Sequence, residues 1–178
     1  MQLRWSHAVL NVRDIDSMID FYTKILGFRI SDRGPLAGDG SPEIVFMSQV
    51  PTDHHQLAFV GAGRDDNPPN SVNHFAFRVE SLDDVKEMKA RLDNDGRAQN
   101  IRPLTHGNAW SVYFTDPEGN GVEVFCDSPW HVAQPQVGTW NSDASNEEIE
   151  AQTRRDFEKE PQFGSIDAFY EALRSEFE

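Results

Sequence analysis

The sequence predicts an α+β chain of two tandem βαβββ modules, residues 1–62 and 72–127, followed by a helical, acidic extension over 128–178. Three observations lead there. The chain repeats itself: moved on by 67 residues (74 − 7), the first module lays His7 on His74, Val12 on Val79, Ile15 on Leu82 and Asp16 on Asp83. A fixed internal period of this kind is the mark of a duplicated unit. Within each copy the apolar spacing runs strand, helix, then three strands. From Ser128 the composition changes to charged stretches with helical spacing. Modules of roughly 55–60 residues are too small for a stable core alone, so the pair is expected to pack as one domain, residues 1–127, in a chain able to bury about 70% of its unfolded surface.

In order, Leu3 to Val12 reads as a strand, with Trp5, Ala8, Val9, Leu10 and Val12 apolar and His7 and Asn11 among them. Asp14 caps a helix whose face is Ile15, Met18, Ile19, Tyr22 and Ile25. Gly27 offers a left-handed stop. Phe28 to Ser31 is a strand and Arg33 to Ser41 a loop; Glu43–Gln49 and His55–Val60 form a strand pair around the turn 50–53. Residues 61–71 (GAGRDDNPPNS) have the composition of a linker. The second copy opens with the strand 72–79, which carries His74. Ser81 with Asp84 caps a helix along Val85, Met88 and Leu92, and Gly96 ends it. A strand begins at Ile101, and SVYFTDPEGNGVEVF (111–125) is a hairpin with proline and glycines in its turn. In the extension, Pro129–Pro135 is extended, Ser145 or Asn146 caps a helix over 147–160, and Phe169, Leu173 and Phe177 mark a last helix from Ile166 to Phe177.

There are 16 basic and 30 acidic residues, a net charge of −14. Such a chain is repelled by nucleic acid and by anionic membranes, so neither is expected as a partner. The single cysteine, Cys126, excludes an internal disulfide or a cysteine metal cluster and reads as buried and inert. No basic, then long apolar, N-terminal pattern and no membrane-length apolar run occurs. A cytoplasmic location is the expectation.

The chemistry centres on three residues. Glu123 sits between Val122 and Val124, whose side chains take the opposite face of a strand. It either faces water or faces inward and needs a cation, because buried carboxylates are rare unless paired or metal-bound. His7 and His74 occupy matched places in the repeat. Each is either a core histidine satisfied by backbone or a ligand; two histidines and one carboxylate suit Fe(II) or Mn(II) with positions left open.

HAVLNVRDIDSMIDFYTKILGF in the first module, with NHFAFRVESLDDV and YFTDPEGNGVEVF in the second, resembles the vicinal oxygen chelate superfamily of glyoxalase I, bleomycin-resistance proteins and extradiol dioxygenases. The resemblance covers about residues 3–127. It implies a curved mixed sheet closing around a metal, with His7, His74 and Glu123 as ligands. The segment HHQLAF (54–59) is similar to the end of the first module in type I extradiol dioxygenases, which makes His55 the acid–base residue. His55 also lies 68 residues (123 − 55) before Glu123, nearly the same place in its own module. LTHGNAWSVYF (104–114) resembles the segment where a histidine and a tyrosine flank the substrate, giving His106 and Tyr113 that role, although the interval between them is about two residues shorter than in larger two-domain members. Trp110 and Phe125 are candidates to line a ring pocket, and Trp130 and His131 to border its mouth, with packing the alternative for this last pair.

The resemblance thus implies ring opening of a catechol-type diol by O2, with Fe(II) as the expected metal and Mn(II) as the second candidate. The substrate diol and O2 are the expected partners, and a second copy of the chain is a candidate one. The rival expectations are a glyoxalase-like isomerase or thiol transferase of the same fold, and a non-catalytic ligand-binding protein like those of bleomycin resistance.

Overall fold

Asp14 starts the first helix by local chemistry alone: its side chain accepts the Ser17 N–H at 3.0 Å. In the computed structural model, residues 6–36, 40–51, 54–63, 72 and 74–175 are described, the last three by backbone alone. The expected start of the first strand at Leu3–Trp5, the tip of the 50–53 turn, most of the 61–71 linker, Asn73, the Leu173 side chain and Phe177 lie outside the described residues. The chain forms two compact units, Met1–Val72 with Asp116–Gly119, and Asn73–Thr115 with Asn120–Glu178.

In the first unit, β1 (Ala8–Asn11), α1 (Ile15–Lys24), β2 (Arg29–Pro35), β3 (Glu43–Ser48) and β4 (Leu57–Val60) follow in the expected order. The sheet runs β1-β4-β3-β2, with β1 and β4 parallel and the other pairs antiparallel. Helix α1 buries Met18, Phe21 and Tyr22, and the Tyr22 ring meets Phe59 edge-on at 4.9 Å. Ala58 and Val60 pack with Ile44 and Phe46, on the other side of β4 from Phe59. Two boundaries differ from expectation. β2 runs on to Pro35, into the expected loop, because Arg33 forks onto Glu43 of β3 at 2.8 and 2.9 Å. This strand is exposed almost throughout, so it has no alternation to betray it. β4 starts at Leu57, which leaves His55 just ahead of the strand.

The second unit repeats the plan: β5 (Phe75–Arg78), α2 (Leu82–Asp95), β6 (Gln99–Thr105), β7 (Ala109–Thr115) and β8 (Gly121–Asp127). Ser81 and Asp84 make both bonds of a capping box, and Gly96 (φ 75°) closes the helix in the left-handed region. Val112, Phe114, Val122 and Val124 are buried on one sheet face, with Leu82, Val85 and Leu92 of α2 buried against it. Ser111, Tyr113, Glu123 and Phe125 take the other face by alternation, and the register sets Tyr113 opposite Glu123 and Ser111 opposite Phe125.

The extension adds β9 (Trp130–His131), β10 (Gly138–Thr139), α3 (Asn146–Phe157), β11 (Gly164–Ser165) and α4 (Ile166–Ser175). It is less purely helical than expected, because β10 joins the main sheet, whose order is β10-β6-β7-β8-β5. Trp140 donates its indole N–H to the carbonyls of Leu104 and Ser111, both at 3.0 Å. Trp110 donates to Thr153 of α3 at 2.8 Å. Ser145 is the N-cap of α3, again through a capping box with Glu148. No helix among the described residues is long and apolar enough to cross a membrane.

Candidate metal centre and its neighbours

Glu123 is buried, at 7% exposure, although nothing but a partner can hold a carboxylate there. Two partners do. Ser111, two residues before Tyr113 on β7, donates its hydroxyl to Oε1 at 2.6 Å. The second oxygen, Oε2, lies 3.3 Å from Nε2 of His74, which stands just ahead of β5 and is a third exposed. Since β5 is parallel to β8 with Ala76 opposite Glu123, the residue two before Ala76 falls on the same face. Two donors about 2.1 Å from one ion at right angles stand about 3 Å apart, so this nitrogen–oxygen pair fits two ligands of one metal. A carboxylate that ligates a metal needs such a bond behind it, and the Ser111 bond holds Oε1 while Oε2 faces His74.

Tyr113 stands across the hairpin from Glu123. Its ring meets that of His74 edge-on at 5.3 Å. Burial, followed by the hydrogen bond and charge of Glu123, pushes the phenol well above its ordinary pKa, so it stays protonated at neutral pH. His106, at the end of β6, reaches Tyr113 Oη with Nε2 at 3.1 Å, while its Nδ1 is 2.6 Å from the backbone oxygen of Gln136. Beside it a groove of about 750 Å³ opens, lined by His106, Asn108, Gln134, Pro135, Gln136 and Val137.

In the first unit, His7 precedes β1 and its ring lies 4.3 Å from that of His55. His55 packs on Phe46 at 4.9 Å, and its Nδ1 is 3.0 Å from Nδ1 of His54. Its pKa is lowered, first by partial burial and then by the neighbouring charges of His7 and His54.

The six expected residues therefore fall into two groups: His74, Glu123, Tyr113 and His106 in the second unit, and His7 with His55 in the first. Among the described residues no group of three or more His, Cys, Asp and Glu side chains is arranged to hold a metal ion.

Other expectations need correction. Trp110 does not share the face of Tyr113; it points to the opposite side, to Thr153, because it is one residue out of phase with Ser111. Phe125 does share the face of Glu123, and the Arg78 guanidinium sits 4.7 Å above its ring. Trp130 and His131 are packing residues, stacked on Phe163 and Phe169. Cys126 is buried as expected, and burial pushes its thiol up to about 12. Ser111 was not singled out from the sequence. Its signal was there, a small hydroxyl residue two before Tyr113, in phase with Tyr113 on the strand. Gln134 and Gln136 carry no such signal.

The model of the Glyoxalase/Bleomycin resistance protein/Dioxygenase superfamily matches residues 4–124. A metapyrocatechase of Pseudomonas sp. (strain CF600) is 26% identical over 140 residues, covering 78% of this chain and 44% of the relative. Biphenyl-2,3-diol 1,2-dioxygenase 2 of Rhodococcus globerulus is 28% identical over 129 residues, covering 70% and 63%. The chain thus spans less than two thirds of the length of either relative. The crystal structure of a glyoxylase/bleomycin resistance protein/dioxygenase domain from Frankia sp. EAN1pec matches with a TM-score of 0.58 at 25% identity, over 71% of this chain and 99% of that one. On the match over residues 4–124, the chain belongs to the Glyoxalase/Bleomycin resistance protein/Dioxygenase superfamily.

Proposed function

We propose that this protein is a metal-dependent extradiol dioxygenase that opens a catechol-type ring next to the diol with O2. The observation that supports it most is the hydrogen-bonded His106–Tyr113 pair on the sheet face that also carries His74 and Glu123. An isomerase or a sequestering protein has no evident use for that pair. The names of the curated relatives, a metapyrocatechase and a biphenyl-diol dioxygenase, point the same way.

His74 and Glu123 would hold the ion together with His7; Fe(II) is the first candidate and Mn(II) the second, because this donor set accepts both. The bound metal supplies Lewis acidity to the diol and a path for electrons from ring to O2. The remaining work belongs to the side chains. Ser111 keeps Glu123 Oε1 occupied, so the carboxylate presents Oε2. Tyr113, protonated, offers its phenol oxygen to a substrate oxygen, with His106 Nε2 within hydrogen-bond reach at 3.1 Å. His55 would remove the second diol proton and later return one as the O–O bond breaks. Its Nδ1 faces His54, which leaves Nε2 for that exchange.

Anaerobic purification with metal analysis, followed by oxygen uptake with a panel of substituted catechols, tests the reading. About one Fe or Mn per chain and stoichiometric O2 consumption are expected. Metal without O2 uptake would sink the dioxygenase reading in favour of another reaction of the superfamily, and trace metal only would favour a binding protein. His55→Ala should retain the metal and lose turnover by ~10²-fold or more.

A further inference from the structure

The extension forms a closed ring of hydrogen bonds around His106. Nδ1 of the imidazole lies 2.6 Å from the Gln136 carbonyl oxygen. A carbonyl cannot donate, so this nitrogen carries the proton, and in the neutral ring Nε2 is the bare acceptor facing Tyr113. The Gln136 carbonyl is itself held in place. Its backbone N–H donates to the side-chain oxygen of Gln134 at 3.0 Å. The side-chain nitrogen of the same Gln134 donates to the backbone oxygen of His106 at 2.8 Å. It also lies within reach of Asn108 Oδ1 and the Val132 carbonyl, both at 3.3 Å. One amide therefore ties the backbone of His106 to the backbone that grips its ring.

We propose that Gln134 is a positioning residue: through Gln136 it locks His106 in the Nδ1–H tautomer, so that the C-terminal extension sets the hydrogen-bonding state of Tyr113. The chemical consequence is directional. An imidazole free in water favours the other tautomer, with the hydrogen on Nε2. That form would present a hydrogen to the Tyr113 oxygen, where the Nδ1–H form presents a lone pair. The role deepens the dioxygenase reading and rests on it for its catalytic meaning. The tautomer itself does not depend on that reading.

The test uses the full chain with ¹⁵N-labelled histidine at a pH where the ring is neutral. Long-range ¹H–¹⁵N spectra distinguish the tautomers, and the peak lost in His106→Gln identifies the residue. The wild type should show Nδ1–H, and Gln134→Ala should move His106 toward Nε2–H with kcat for catechol cleavage down about tenfold and KM changed less. Gln152→Ala, which removes a side-chain amide hydrogen bond to the Thr139 carbonyl elsewhere in the extension, should change neither. If Gln134→Ala does not fold, Gln134→Met keeps the length and removes both the donor and the acceptor of the amide. A wild-type Nε2–H tautomer overturns the proposal, and so does a Gln134 variant that keeps Nδ1–H. Wild-type protein that consumes no O2 counts against the dioxygenase reading alone, because the spectra need no substrate.

Discussion

Ser111 decides how Glu123 can be used. A carboxylate with both oxygens loose is a poor ligand, since it rotates and loses orientation; one bond at 2.6 Å removes that freedom. Ser111→Ala should therefore weaken metal binding by about 10- to 100-fold, measured by competition with a chelating dye. Ser111→Thr keeps the hydroxyl and should recover most of the loss. An unchanged affinity in Ser111→Ala would mean that the serine bond does not orient a ligating oxygen of Glu123. At this scale the sequence was legible wherever alternation could be counted. The phase of Val122 and Val124 put Glu123 on its own face, and the hairpin put it beside Tyr113. The same count would have turned Trp110 away from the site, but aromatic character drew it in.

The β7–β8 hairpin supplies Ser111, Tyr113 and Glu123, and its turn has a second role. Asp116 accepts the buried hydroxyl of Tyr22 at 3.0 Å. Glu118 Oε1 accepts the backbone N–H groups of Arg13 and Asp14 at 2.7 and 2.8 Å, just where α1 begins. These donors have no helical partner of their own, and a carboxylate there also meets the positive end of the helix dipole. Glu118→Ala should destabilise the protein by ~1–3 kcal/mol in urea unfolding, and Glu118→Gln, which keeps an acceptor, by less. If Glu118→Ala unfolds at the wild-type urea midpoint, the contact is incidental. The helices were readable from their caps and apolar spacing. β10 was not, because a two-residue strand has no period to detect; it is recognised only by its pairing of Gly138 and Thr139 with Thr105 and Leu104. The strap that holds His106 follows from that pairing and was hidden with it.

For the whole molecule, the internal period made the architecture legible, since two copies of one pattern constrain each other. A metal that binds the folded chain and not the unfolded one stabilises it by mass action. Removing it by anaerobic dialysis against a chelator should lower the melting temperature, and Fe(II) or Mn(II) should restore it. At about 100 times the dissociation constant the gain is ~2.7 kcal/mol, several degrees for a chain of this size. A melting curve indifferent to chelator and metal would argue against a resident ion. What the repeat did not reveal is where the compact units end, because that is fixed by contacts and not by sequence similarity.

The Asp116–Gly119 turn, encoded in the second copy, belongs to the first unit. A chain cut at the linker would keep all five secondary-structure elements of the first module yet leave Tyr22, Arg13 and Asp14 without these acceptors. The two halves, alike in plan, have ceased to be interchangeable parts. A recombinant first half should need the peptide DPEGN supplied in trans or grafted on, and swapping the order of the copies would strand that peptide at the wrong end of the chain.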